Sequence, residues 1–489
     1  MHAPGRAIDE RTPVLVGAGT ASDSAPVTEL MTRAARAAAD DAGAPALLAA
    51  VNRIALPQGS WALTDPARTI ATRLGASLAR TFRYEIGVSQ QEIVNDALTA
   101  IGRGEVDVVL VVGGEARAWV RHGGHEEDGE ALPPDVTVTR QADFVAPVEQ
   151  AAGIVVPPVQ QYALIENALG AHEHLDPHAQ GEEVARLWAR FNLVARDNPS
   201  AAFPAPRSAA AISTPGPRNR PLAHPYNVWH ASQWTVDQAA ALLFCSAGRA
   251  ADAGVPRDRW VFPHVALHAS KAVTLTARAD LWAWPAMAVL GRAAADHIAR
   301  PLAELPIAEV YSCFPSAVRV QQRALGLDPN GTPTVTGGMT FAGGPFNNYV
   351  LTATAAVLPL LRQEPSALGL LTTVCGMLSK PGLAVWSATP PAPGRGPRIA
   401  DLAEAAAAAT PTRAVASPER AGGPAVVASY TVTYDADDPP APTRTAIVAD
   451  LADGTRTAAT CEDAAIARAA LAEGLIGQTV HIERTAFTA

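Results

Sequence analysis

Tyr84-Glu-Ile-Gly-Val-Ser-Gln-Gln-Glu-Ile-Val-Asn-Asp-Ala-Leu-Thr-Ala-Ile-Gly-Arg-Gly-Glu-Val-Asp-Val-Val-Leu-Val-Val-Gly-Gly-Glu115 is the stretch whose reading decides the fold. It opens on a strand end and a sharp turn at Gly87. Ser89-Gln-Gln-Glu92 then has the spacing of a capping box, in which the serine oxygen and the glutamate satisfy free N–H groups at a helix start. Ile93, Val94, Ala97, Leu98 and Ile101 recur at helical spacing until Gly102 and Gly104 end the helix. Residues 106–112, β-branched except for Asp107 and Leu110, fit a strand covered on both faces. A turn aimed at a helix N-terminus is a strong place for chemistry. Its free N–H groups and dipole stabilise an anion and lower the pKa of a thiol.

Outward from this unit the same alternation continues. Residues 11–19 read as a first strand ending in glycines, 27–42 as a helix closed by Gly43, 51–56 as a strand, 65–74 as a helix and 80–85 as a strand. Gly17-Ala-Gly19 lacks the third glycine of a dinucleotide fingerprint. The pattern predicts an α/β fold with a mostly parallel, layered sheet. From 116 to 222 the alternation stops, and prolines, histidines and glutamines gather around one helical stretch at 181–194. An excursion of that length inside a compact domain is usually functional or a lid. His122, His125, His172, His174 and His178 lie in it, but no carboxylate–histidine motif such as HExxH accompanies them, and no metal site is expected. Beyond it, 237–246 reads as a buried strand with Cys245 as a small core residue, 260–268 as a strand and 284–298 as a helix. Residues 307–315 run a strand into a helix at 316–325 that Gly326 ends, so the second half echoes the first.

These segments together resemble the thiolases. The opening unit is similar to the thiolase nucleophile region, and counting back from Gly104-Glu105 puts the nucleophilic cysteine position at Gly87, with Ser89 as the helix cap. Tyr311-Ser-Cys-Phe314 stands where thiolases carry Asn-Glu-Ala-Phe or His-Asp-Cys-Phe. Gly337-Gly-Met-Thr-Phe-Ala-Gly-Gly-Pro345 resembles their Gly-Gly-x-x-x-x-Gly-His-Pro, with Gly344 at the histidine. Thr373-Val-Cys-Gly-Met-Leu378 resembles their Cys-x-Gly segment. The pattern is also similar to that of the actinobacterial thiolase-like proteins of type 1, in its Tyr-Ser-Cys-Phe-Pro, its lysine segment and its extra C-terminal domain. The resemblance covers residues 11–386, and the extra domain beyond it.

It implies a thiolase-like α-β-α-β-α layering of two pseudo-duplicated halves, an acetyl-CoA acetyltransferase class and a place in lipid metabolism. The implied ligand is an acyl-CoA, the CoA thioester being substrate or ligand, with no separate cofactor and with a homodimer as one assembly. Gly87, Ser89, Gly337, Gly338 and Gly344 are the implied substrate-binding positions, and Tyr311, Cys313 and Cys375 the candidate catalytic residues. A Claisen condensation needs an activated nucleophile and a base for the carbon acid. With glycine at both the cysteine and histidine positions, ordinary thiolysis is not expected. Cys375 is either a base or nucleophile or an inert core thiol. Tyr311 keeps a second chemistry open, because some thiolase-like aldolases use tyrosines and work beside a small OB-fold partner. Three readings follow: an acyltransferase-like protein, a retro-aldol C–C lyase acting on a β-hydroxyacyl-CoA, and a non-catalytic acyl-CoA-binding or scaffold protein.

Residues 388–398 are rich in proline and glycine and read as a stiff linker, followed by a short helix at 399–409. Strands at 425–434, 444–451, 456–461 and 479–485, a turn at Asp453-Gly454 and a helix at 464–473 then predict a small OB-like β-barrel. The expected domains are 1–253 (including the 116–222 loop domain), 254–387, the linker 388–423, and 424–489. From Pro424 onward there are four arginines, no lysine and nine acidic residues, which opposes binding of nucleic acid. The whole chain of 489 residues is 48% hydrophobic, enough for a large core, and its net charge of −9 gives no broad basic surface. It has no apolar run of roughly eighteen residues and no basic-then-apolar start, so neither a membrane span nor a signal peptide is expected, and the expected location is cytoplasmic. Lys271 and Lys380 are its two lysines. The four cysteines, Cys245, Cys313, Cys375 and Cys461, show no metal or redox spacing and are expected to be reduced.

Overall fold

The opening unit folds as its pattern predicts. Helix Gln90–Gly102 starts at Ser89, whose Oγ accepts from the Glu92 N–H at 3.2 Å. The other half of the expected capping box is replaced, because the Glu92 carboxylate pairs with Arg140. These coordinates are a computed structural model that describes residues 8–128, 132–140, 144–392, 394–437 and 440–488.

In chain order the first half contributes β1 (Pro13–Ser22), β2 (Arg53–Pro57), β3 (Arg80–Tyr84), β4 (Val108–Ala116) and β5 (Val136–Val138). Two short strands follow, β6 (Pro221–Ala223) and β7 (Tyr226–Asn227), and then β8 (Asp237–Ser246). The second half contributes β9 (Phe262–His268), β10 (Ile307–Glu309), β11 (Gly369–Cys375), β12 (Lys380–Ser387) and β13 (Arg398–Asp401). The C-terminal region holds β14 (Gly422–Tyr434), β15 (Pro442–Leu451), β16 (Arg456–Cys461), β17 (Thr479–Glu483) and β18 (Ala486–Thr488).

One sheet has the order β1-β8-β4-β2-β3-β5 and a second the order β10-β11-β12-β9-β13. Within them β2-β4-β8-β1 and β10-β11-β12-β9 pair alike: one parallel neighbour, then two antiparallel ones. Helix Gln90–Gly102 and helix Tyr349–Gln363 lie between the two sheets, touching strands of both. The Gln90 Oε1 accepts from the Val350 N–H at 2.9 Å, and Asn95 Nδ2 donates to the Ala266 carbonyl of β9 at 3.0 Å. A helix covered on all sides must satisfy its polar side chains inside the protein, and these two bonds do so. Helix Val27–Asp41 covers the outer face of the first sheet and helix Pro285–Ile298 that of the second.

The excursion carries more structure than its sequence suggests. It holds the helices Val159–His172 and Pro177–Asp197 and three short ones. The expected linker is likewise part of the fold. Instead of beginning a helix, Arg398–Asp401 adds β13 to the second sheet, parallel to β9, and the helix starts at Ala403, whose N–H donates to Asp401 Oδ1 at 2.9 Å.

At the C-terminal end β14-β15-β16-β18-β17 closes on itself, β17 pairing back to β14. The expected last strand is β17, a further strand, β18, follows it, and helix Ala464–Glu473 falls between β16 and β17. Closure removes free sheet edges, and the barrel fills itself with Tyr430, Val432, Ile447, Val480, Ile482 and Phe487. It docks on the excursion through Asn167 Nδ2, which donates to the Tyr430 carbonyl at 2.7 Å, and through Ser429 Oγ, which donates to the Leu164 carbonyl at 2.6 Å.

Candidate active site

Strand β10 ends at Glu309, a buried carboxylate that gathers the loop after it. Glu309 accepts from the Val335 N–H at 2.7 Å, the Thr336 N–H at 3.0 Å and the Tyr349 hydroxyl at 2.8 Å. Burial raises its pKa while these bonds pull it back. The clasp fixes residues 334–338 against the turn Tyr311-Ser-Cys-Phe314. Tyr311 is half-buried, its N–H donating to Thr372 Oγ1 of β11 at 2.9 Å and its ring standing edge-on to Tyr349 at 5.9 Å.

Cys313 lies just before helix Pro315–Leu325, where the Cys313 and Phe314 N–H groups favour its charged form. The Tyr162 hydroxyl acts on the same thiol, its ring stacked on Phe314 at 4.4 Å. Burial is the stronger effect, and it pushes the Cys313 pKa up to about 12 even though the Tyr162 hydroxyl and the two N–H groups lower it. The thiol is therefore neutral near pH 7. Tyr162 and Tyr311 are both raised well above 10, by burial first and then by neighbouring Cys313; Cys375 adds to the effect on each. Tyr311, Cys313 and Cys375 are thus brought together, and Tyr162, from the excursion, completes the cluster.

The two glycine-for-functional-residue positions differ in what surrounds them. At Gly87 the backbone has φ +105°, strained for any L side chain, yet the space beside it is open to ordinary contact with the Arg140 carbonyl and Phe144. Lys380, a buried lysine, donates to the Gly87 carbonyl at 3.4 Å. At Gly344 a Cβ would run into Ser232 Oγ. Ser232 is part of the same site, since its N–H donates to the Cys313 carbonyl at 2.9 Å.

The remaining sequence-derived positions fall to either side. Ser89 caps its helix. A Cβ on Gly337 would meet Ala195, and one on Gly338 would come within 2.6 Å of Phe191 and 2.9 Å of Ser312, so both glycines admit close packing of helix Pro177–Asp197. Sequence reasoning missed Tyr162, Ser232 and Lys380. The last had a signal, because it is one of two lysines in the chain and the buried one.

No protein-family profile and no curated protein matches the chain. Among solved structures, the monomeric SCP2-thiolase-like protein type 1 from Mycobacterium smegmatis is 28% identical, with a TM-score of 0.81, over 99% of this chain and 100% of that one. The chain belongs to the thiolase superfamily. Two further solved structures share the fold at lower identity. An Ltp2–ChsH2(DUF35) aldolase is 16% identical over 77% of this chain and 98% of that one, at a TM-score of 0.59. The dimeric peroxisomal thiolase of Saccharomyces cerevisiae is 14% identical over 78% and 98%, at 0.54. Within the superfamily this chain carries the thiolase-like layers, with Gly87 and Gly344 at the positions that the sequence resemblance gives to the cysteine and the histidine. Among the described residues no helix is long and apolar enough to cross a membrane.

Proposed function

We propose that this chain binds an acyl-CoA thioester at the Tyr162, Tyr311, Cys313 and Cys375 cluster, as an acyltransferase-like protein without thiolytic chemistry. One observation carries the reading: the Tyr162 hydroxyl and the Cys313 and Phe314 N–H groups before a helix start all act to favour negative charge at the Cys313 position, with the Tyr162 ring stacked on Phe314 at 4.4 Å. Donors of this kind stabilise developing negative charge on a thioester oxygen or a thiolate. With the cysteine and histidine positions occupied by Gly87 and Gly344, the cluster polarises a bound thioester but supplies neither activated nucleophile nor imidazole base. The Gly87 turn, the 337–345 loop and the excursion form the walls of the proposed site.

The pairing of Tyr162 with Tyr311 favours a second reading, retro-aldol cleavage of a β-hydroxyacyl thioester. One hydroxyl would take the substrate hydroxyl proton and the other would protonate the enolate. The raised pKa values suit the donating role and oppose the accepting one. We read the two sheets, with their matching β2-β4-β8-β1 and β10-β11-β12-β9 orders, as a pseudo-duplication. The barrel is OB-like in our reading, because its third strand pairs parallel with its fifth and its helix lies between the third and fourth.

Calorimetry with CoA and a panel of acyl-CoAs tests the binding claim. Wild type should bind an acyl-CoA more tightly than CoA, and Cys375→Phe, at a half-buried position, should remove that preference while melting like wild type. Equal affinities for CoA and acyl-CoA in wild type would place the acyl group outside the cluster.

A further inference from the structure

A cavity lies where the excursion and the segment after it meet the barrel, and none of its lining residues belongs to the Tyr311 cluster. Its volume is about 530 Å³, within the roughly 300–1,000 Å³ of small-molecule sites. Thr214 of the excursion, Pro225, Asn227 and His230 of the segment that follows it, Tyr434 of the barrel and His224, which stands beside β6, line it. A thiolase layer without the barrel would lack this wall.

The lining chemistry is specific. The Asn227 N–H donates to His230 Nδ1 at 3.0 Å, so Nδ1 carries no proton and in the neutral ring the proton sits on Nε2. That Nε2 is buried and has no partner among the described residues. Burial holds the ring neutral, its pKa pushed down to about 3. The Nε2 of His224 is also buried without a partner among the described residues, and burial pushes that pKa down to about 4. His224 is tied to the barrel, its N–H donating to the Val432 carbonyl at 2.9 Å and its carbonyl accepting from Thr431 Oγ1 at 2.9 Å. Two other polar groups of the wall are already used. Tyr226 donates to Glu166 at 2.7 Å, and Asn227 Nδ2 donates to the Ser213 carbonyl at 2.7 Å.

The lining contains no lysine or arginine, five of its residues are prolines, and its one carboxylate, Glu182, is paired with Arg186 at 3.2 Å. A site for the phosphates of CoA, or for any other anion, would need the cations this wall lacks. A metal is excluded by the ligand set, since among the described residues no group of three His, Cys, Asp or Glu side chains comes together. What fits is an uncharged, apolar ring system with an acceptor oxygen. We propose that the seam cavity binds such a molecule through a carbonyl or hydroxyl oxygen that accepts from His230 Nε2–H, with His224 as the second polar contact.

The probe is 6-propionyl-2-dimethylaminonaphthalene, an uncharged aromatic ketone whose emission moves to the blue in an apolar site. Titration of the full chain should give saturable one-to-one binding. Thr214→Trp, at an exposed lining position, should fill the cavity and abolish binding. His230→Asn keeps an acceptor near the Nδ1 position and removes the Nε2 donor. It should weaken the ketone about tenfold, a loss of about 1.4 kcal/mol, and leave 2-dimethylaminonaphthalene, which lacks the carbonyl, unaffected. Absence of saturable binding in wild type, undiminished binding in Thr214→Trp, or equal effects of His230→Asn on both probes would each overturn the proposal.

Discussion

Arg278 Nη2 donates to the Met377 carbonyl at 2.9 Å, and Met377 is the middle of three successive left-handed residues. Gly376, Met377 and Leu378 have φ of 59°, 53° and 60°, and two of them carry side chains for which this conformation is unfavourable. The turn joins β11 to β12 directly after Cys375. Arg456 of the barrel in turn donates to the Arg278 carbonyl, so the added domain is linked by hydrogen bonds to the turn beside the candidate site.

Arg278 is therefore expected to hold that turn. Arg278→Lys loses the planar fork and should lower stability to urea by about 1.5–3 kcal/mol, the range for hydrogen bonds to charged groups. Alkylation of Cys375 should become faster in the same variant. Stability and alkylation rate both equal to wild type would show that other contacts hold the turn.

Much of this arrangement could be read from the sequence, and the exceptions have physical causes. Helix Gln90–Gly102 was legible because its cap and its apolar spacing coincide. Helix Val159–His172 was not, because it is buried on every side and no polar stripe marks a solvent face. Its Gln161, Glu166 and Asn167 look like surface residues, yet each is bonded internally: Gln161 to Glu149, Glu166 to Tyr226 and Arg319, and Asn167 to Tyr430. Tyr162 lies on that helix, so the fourth member of the cluster was hidden with it. Strand β13 is four residues long beside an alanine run, too short for a period-two pattern to show. The altered motif positions were visible at Gly87 and Gly344, but the side chain filling the second space, Ser232, is more than a hundred residues away and only the fold brings it there.

Thiolysis of acetoacetyl-CoA should be absent, since loss of a nucleophile or its base costs several powers of ten. Restoring both groups in Gly87→Cys with Gly344→His should not rescue it. The Gly344 side chain would collide with Ser232, and Gly87 has a backbone strained for cysteine. Turnover by the double variant near that of a thiolase would contradict this geometry.

Thiol chemistry should divide the cysteines. Burial pushes Cys245 and Cys313 up to about 12, so at pH 8 only about one molecule in ten thousand carries the thiolate at either position. Mass spectrometry after brief iodoacetamide treatment should find label on half-buried Cys375 and Cys461 first. Preferential labelling of Cys313 would show an activated thiol in place of the resting one described.

Acid stability should report the two histidines of the seam. Their folded pKa values, about 4 for His224 and about 3 for His230, lie below the ordinary 6.5, so the unfolded chain binds more protons and stability falls as pH drops from 6.5 toward those values. Each contributes up to about 1.4 kcal/mol per pH unit in that window. Glu115, raised to about 6 by burial, acts in the opposite sense, so the informative quantity is a difference between variants. His230→Asn should flatten the fall between pH 6 and 4 in urea titrations, and an unchanged slope would argue against a buried neutral ring.

The role of Tyr311 and its neighbours is tested most directly by the structure of the chain soaked with a 2-oxoalkyl-CoA thioether, a non-hydrolysable analogue that keeps a carbonyl one methylene from the sulfur. The account predicts the carbonyl at the sulfur's side within hydrogen-bonding distance of the Tyr311 or Tyr162 hydroxyl or of the Cys313 and Phe314 N–H groups, with the pantetheine arm running along the excursion. An acyl-CoA seated elsewhere, or no bound ligand under conditions that saturate a thiolase, would contradict it.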